Sequence, residues 1–150
     1  MADLQKLVHG EPEWDVKVNA IIDNMNNIGD MMWTQGMTTG LVFQNGFNQL
    51  GSDESHQTIY RYVQFKGWKL VDLQIMVALS AAPSSTSNVT AVSLPDSISY
   101  DGWHEWAESD GYQLAINGNQ FRISVLGTNK WWVGDGSHYV AHIFYLHIDQ

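Results

Sequence analysis

The side chains with the most chemistry to offer fall in two short stretches. Asp101, Trp103, His104, Glu105, Trp106 and Glu108 are bracketed by Asp101-Gly102 and Asp110-Gly111, and Trp131 and Trp132 precede Gly134-Asp135-Gly136-Ser137-His138. A tryptophan ring presents a flat apolar face to the C–H side of a sugar, while Asp, Glu and His hydrogen-bond its hydroxyls. Small-molecule sites are usually divided in this way, into apolar walls and a few fixed polar groups. Both stretches read as loops, where binding residues concentrate. The competing reading is that the rings are packing, in the core or between subunits, since large aromatics are highly buried on average.

Catalytic patterns are thin. His104-Glu105-Trp106-Ala107-Glu108 opens like the zinc-protease H-E-x-x-H motif, but Glu108 stands where the second histidine must be. No nucleophile elbow, phosphate loop or dinucleotide fingerprint occurs. Glu105, Glu108 and Asp110 could supply the acid and base of a glycosidase. Such carboxylates must face each other across a sugar at a set separation, which spacing along a loop does not provide. His138 and His142 share one face of an extended segment, without an evident third metal ligand. His142 is also in phase with Val140, Phe144 and Leu146, as for a hydrogen-bonded core histidine or one near a symmetry axis. No catalytic group, metal site or cofactor is expected.

The elements that must position these residues change character near Gly36. Before it, Trp14, Val18, Ile21, Met25, Ile28 and Met32 follow at alternating steps of four and three. That rhythm puts all six on one stripe of a helix over roughly residues 12–28, with Pro12 in its first turn and Glu11, Glu13 and Asp15 favoured by its dipole. The same stripe is a coiled-coil seam, with Val18, Met25 and Met32 at a and Trp14, Ile21 and Ile28 at d. Isoleucine at d shifts the preference toward three or more strands. A helix this short needs packing partners, and an amphipathic helix lying on its own domain is the alternative.

After Gly36 the pattern is that of strands. Thr38–Gln44 and Phe47–Leu50 flank Asn45-Gly46, a favoured hairpin turn. Thr58–Phe65 leads through Lys66-Gly67 to Trp68, and then Val71, Leu73, Ile75, Val77 and Leu79 alternate with Leu70, Asp72, Gln74, Met76 and Ala78. Five apolar residues in strict alternation are a half-buried strand. Val89–Leu94, Tyr112–Ile116, Phe121–Leu126 and Tyr139–Ile148 complete the set, with Asn117-Gly118 as a second hairpin turn. Neighbouring residues of an extended chain point to opposite sides, so only one of Trp131 and Trp132 can enter the core. Seven or eight short strands without a second helix predict an antiparallel β-sandwich or jelly-roll-like domain over 36–150, preceded by a helical oligomerisation segment over 1–35.

Composition sets the outer limits. The 150 residues include no cysteine, 7 Lys+Arg against 16 Asp+Glu, and 7 tryptophans. Disulfides, thiolate zinc sites and cysteine nucleophiles are excluded. A net charge of −9 argues against nucleic-acid partners and against docking on anionic membranes. No stretch approaches the roughly 20 apolar residues of a membrane span, and Met1–Lys6 does not open a signal peptide. Charged residues make up only 15%, few for a freely exposed surface.

Residues 3–19, Asp-Leu-Gln-Lys-Leu-Val-His-Gly-Glu-Pro-Glu-Trp-Asp-Val-Lys-Val-Asn, resemble the opening of tail and baseplate proteins, receptor-binding types among them, from siphophages of lactic acid bacteria. The continuation is similar in pattern, a short helix and then a Gly- and aromatic-rich β domain ending in residues 139–146. The resemblance implies a homotrimer held by an N-terminal helical bundle through Trp14, Val18, Ile21, Met25, Ile28 and Met32. It implies a place at the tail tip or baseplate of the virion after synthesis in the host cytoplasm, and other tail proteins as partners. It also implies recognition of host cell-wall saccharide, for which Asp101, Trp103, His104, Trp106, Trp132, Asp135 and His138 qualify by type. Arg61 and Arg122 are the only arginines, which disfavours a phosphosugar. The rival functions are a purely structural tail subunit and a cell-wall glycosidase using Glu105.

Overall fold

The structure, a computed structural model, describes residues 18–19, 22–23, 32–107 and 111–149, with Trp106 and Ala107 described by their backbone. Val18, Asn19, Ile22 and Asp23 have helical backbone; the rest of the predicted helix lies outside the described residues, Trp14, Ile21, Met25 and Ile28 included. From Met37 onward the chain is mainly β and antiparallel.

Nine strands are described: β1 (Val42–Phe43), β2 (Phe47–Gln49), β3 (Ile59–Phe65), β4 (Trp68–Leu79), β5 (Val89–Ser93), β6 (Tyr100–Ala107), β7 (Tyr112–Gly118), β8 (Gln120–Val125) and β9 (Tyr139–Ile148). One sheet runs β1-β5-β8-β7-β6. The other is built around β4, which pairs with β9 from Trp68 to Val77 on one side and with β3 and then β2 on the other. The predicted inward residues of β4, Val71, Leu73, Ile75, Val77 and Leu79, are fully buried, and of the alternating outward positions from Leu70 to Ala78, Asp72 alone is buried as well. The inward residues meet Val89, Leu114, Ile116, Phe121 and Ile123 of the opposite sheet in one core.

Turn chemistry sets the registers. Gly67, at φ +82, closes the two-residue β3–β4 turn and pairs Phe65 with Trp68. The β7–β8 turn falls at Gly118-Asn119, one residue beyond the predicted Asn117-Gly118, because Asn117 already pairs with Gln120. The predicted hairpin at Asn45-Gly46 is a turn of another kind. Both residues have positive φ, 54° and 84°, and Phe47 N donates to Gln44 O at 2.9 Å. Yet β1 pairs with β5 and β2 with β4, so the chain crosses there between sheets. Tertiary docking fixes this corner: Ser80 N donates to Gly46 O, and a Cβ on Gly46 would lie 2.6 Å from Ala81 O.

Residues 100–107, expected as a loop, form edge strand β6. Its pairing with β7 shifts between Tyr100 and Trp103, a bulge that Gly102 absorbs at φ +142. The sequence hides this strand because its alternation is of aromatic with polar residues on both faces. At the other end Ser137, fully buried, donates to Leu79 O and accepts from Leu79 N, satisfying the backbone where β9 no longer pairs with β4.

Candidate functional site

The sequence-predicted residues are divided rather than gathered. On β6, Trp103 and Glu105 stand opposite Asn117 and Ala115, whereas His104 stands opposite the core residue Ile116 and therefore on the other face. Trp106 holds the register position opposite Leu114. Asp101 lines a separate cleft with Lys69, Tyr100, His147 and Asp149. Trp132 and His138 meet in the β8–β9 loop with ring centroids 4.6 Å apart, and Asp135 is exposed in the same loop. Trp131 is the ring that turns inward: its centroid lies 5.8 Å from Phe47 and 6.2 Å from Tyr139, and its Nε1 donates to Ser85 O. The two stretches thus belong to different parts of the molecule.

Around Trp103 a flat arrangement survives. Its Nε1 donates to Glu105 Oε2 at 3.1 Å, and the Arg122 guanidinium lies 6.0 Å from its ring, tethered by Gln120 Oε1 at 3.0 Å. Glu105 is committed to that contact, and Glu108 and Asp110, the other carboxylates of the glycosidase reading, lie outside the described residues.

A more concentrated constellation lies on the outer face of the other sheet, where the register does the gathering. Arg61 pairs with Asp72, Asp72 with Phe144, and Gln74 with His142, so β3, β4 and β9 present these side chains side by side. Asp72 is only 5% exposed and accepts from Arg61 Nε at 2.7 Å and from His142 Nε2 at 2.5 Å. Its two partners are about half exposed, at 49% and 53%. A buried carboxylate holding two half-exposed donors fixes their geometry at the floor of a cleft. His142, expected as a hydrogen-bonded core residue or one near a symmetry axis, is hydrogen-bonded to Asp72 but lies outside the core, because the buried face of β9 is the odd-numbered one, Tyr139, Ala141 and Tyr145.

The cleft measures about 350 Å³ and is lined by Glu54, Ser55, Ile59, Arg61, Asp72, Gln74 and His142. One wall is the single turn Glu54–His56, which Gln74 Nε2 holds by donating to Gln57 O at 2.9 Å and Glu54 O at 3.2 Å. Asp53 caps that turn, and its hydrogen bonds from Ser55 and His56 hold its carboxyl down at about 2. Aromatic rings border the other side. Trp33 lies edge-on to Phe144 at 6.4 Å with the Arg61 guanidinium 5.3 Å from its ring, and Phe144 is 5.0 Å from the His142 ring. Trp33 is carried there by Thr34, whose N donates to Tyr62 O and whose Oγ1 accepts from Tyr62 N.

The Arg61 guanidinium is about half exposed, with its Nε engaged by Asp72. One formal positive charge faces two negative ones, Asp72 and Glu54, which favours a neutral hydroxyl-rich ligand over an anion. Among the described residues no group of three or more His, Asp or Glu is placed to hold a metal ion, and no helix is long and apolar enough to cross a membrane.

No protein-family model and no curated protein matches this chain. Among solved structures, the receptor binding protein (gp15) of Listeria phage PSA is similar at a TM-score of 0.43 and 16% identity, over 89% of this chain and 75% of that one. At that level no residue role and no ligand is carried across.

Proposed function

We propose that this protein is a phage tail or baseplate component, of receptor-binding or accessory type, that acts as a homotrimer and recognises neutral saccharide on the host cell surface without enzymatic action. The resemblance of residues 3–19 to tail and baseplate proteins supports the assignment to the virion. The observation that carries saccharide recognition is the Asp72-anchored pair of Arg61 and His142 beside Trp33 and Phe144. It joins planar donors to aromatic walls in a cleft large enough for a small saccharide. Glu54 and Gln74 add acceptors for ring hydroxyls.

Binding of the purified protein to host cells, and to their isolated wall polysaccharide by calorimetry, tests this reading. Arg61→Ala is expected to weaken binding at least about tenfold, the loss of roughly one charge-assisted hydrogen bond, and Trp33→Ala to weaken it by several-fold to about tenfold through the loss of an aromatic wall. Trp103→Ala and Trp132→Ala, on the other surfaces, are expected to leave it within about twofold. Wild-type protein that folds but binds neither cells nor polysaccharide would point to the purely structural tail subunit. Release of reducing ends from the polysaccharide would point to the glycosidase.

A further inference from the structure

Where β4 begins and β9 ends, the inward positions of the sandwich change from apolar to charged. Val71, Leu73 and Ile75 are fully buried, but the inward residue that precedes them on β4 is Lys69, 8% exposed. Its register partner on β9 is His147, 9% exposed, and Asp149 lies just beyond the strand. The Lys69 ammonium pairs with Asp149 Oδ1, and Gln64 Nε2 donates to Asp149 Oδ2 at 3.1 Å. Burying such groups is costly, and an apolar end to the core would avoid the cost. Here they form the floor of a cleft of about 630 Å³ whose rim, Asp96, Ser97, Ser99 and Asp101, comes from the single turn Asp96–Ile98 and the start of β6. Ionisable groups buried at the floor of a cleft mark a candidate ligand site.

His147 sets the chemistry. Its Nδ1 lies 2.8 Å from Ser99 O, which can only accept, so Nδ1 carries the ring proton and donates. Nε2 of the neutral ring is then an acceptor, and it faces Asp149 Oδ1, a second acceptor, at 3.5 Å. A donor placed between them satisfies both. Charge selects the kind of donor. Asp96, Asp101 and Asp149 line the cleft against the one formal positive charge of Lys69, which is committed to Asp149. Asp96 accepts from Asn119 Nδ2 at 3.1 Å through one oxygen, and Asp101 is exposed on the rim. A positively charged donor is therefore favoured over a neutral one. We propose that this cleft is a second ligand site, separate from the one at Arg61, and that it takes a hydroxylated primary amine, the chemistry of a 2-amino sugar with its amino group unacylated. The ammonium is received by His147 and the rim carboxylates, and the ring hydroxyls by Ser97 and Ser99. This site does not depend on the saccharide reading above.

The test is an NMR titration of the ¹⁵N-labelled full chain at pH 7 with glucosamine, with glucose and N-acetylglucosamine as controls of similar shape and no ammonium. Glucosamine is expected to shift the amides of Ser97, Ser99 and Gly118, which border the cleft. Its affinity should exceed that of either control at least about tenfold, the worth of roughly one charge-assisted hydrogen bond. Asp101→Asn, an exposed position, is expected to keep the amide spectrum of the fold and to remove most of that preference. Asp96→Asn provides a second carboxylate variant, and Trp33→Ala, at the other cleft, is expected to leave glucosamine binding unchanged. Imidazole ¹⁵N shifts give a readout without ligand: His147 is expected as the Nδ1–H tautomer. A ring protonated on both nitrogens would overturn the proposal, since it would satisfy Asp149 by itself. So would equal affinity for glucosamine and glucose, shifts confined to the surroundings of Arg61 and His142, or a preference that survives both carboxylate variants.

Discussion

Removing the Arg61 guanidinium strands one oxygen of a carboxylate that water hardly reaches. Asp72 is 5% exposed and both of its oxygens are occupied, Oδ2 by Arg61 Nε and Oδ1 by His142 Nε2. Leaving a buried acceptor unpaired costs about 1–3 kcal/mol. The lower half of that range applies, because Arg61 itself is half exposed and the ion pair is screened. Arg61→Ala is therefore expected to destabilise by about 1–2 kcal/mol, a fall in melting temperature of roughly 2–8 °C for a chain of this size. Asp72→Asn keeps the volume but sets an amide NH2 against one of the two donors, and is expected to cost about as much. Urea denaturation of both single variants and of the double variant measures the coupling between them. In the double variant the stranded carboxylate is gone, so the combined loss should fall short of the sum by about 1 kcal/mol. Losses that add to within about 0.5 kcal/mol would refute the idea that Asp72 is what holds Arg61 in place.

The adjacent tryptophans make a second comparison. Trp131→Ala empties a site bordered by Phe47, Tyr112 and Tyr139 and is expected to cost about 3 kcal/mol, whereas Trp132→Ala, on the surface, should cost about 0.5 kcal/mol in the same denaturation experiment. Near the C-terminus, the Lys69 ammonium holds the Asp149 carboxyl below its ordinary value of 3.8, with further hydrogen bonding from Gln64. The folded state thus prefers the ionised form. The stabilisation is complete above the ordinary value and is lost as the pH falls below it. Melting curves between pH 6 and pH 2 should show Asp149→Asn losing less stability in acid than wild type; parallel losses would show that this carboxylate contributes nothing to the acid limb.

Parts of the site are legible in the order of residues. A two-residue turn at Lys66-Gly67 pairs Phe65 with Trp68, and counting back along both strands pairs Arg61 with Asp72. Asp72 and Gln74 also stand out as the polar residues among the outward positions of β4. His142 stands out by its spacing from His138, but its phase with Val140, Phe144 and Leu146 points to the core or to a place near a symmetry axis, and the core reading is the one the structure overturns. That inference assumes that the more apolar face of a strand is the buried one, and on β9 the buried face is instead lined by Tyr139, Ala141 and Tyr145. Trp33 carries no local signal at all, since only the hydrogen bonds of Thr34 to Tyr62 bring it to the cleft.

Local sequence is enough to dictate the antiparallel β class, the strand alternation that buries Val71, Leu73, Ile75, Val77 and Leu79, and the inward turn of just one of two adjacent tryptophans. These follow from periods and turn residues, which act over a few neighbours. Which strands lie side by side is settled at the level of the whole fold. The corner at Asn45-Gly46 sends its strands to different sheets, and β6 separates Trp103 from His104. β9 comes from seventy residues away in sequence to set His142 against Asp72. Pairing across such distances is selected by the burial of whole faces, and no local period encodes it.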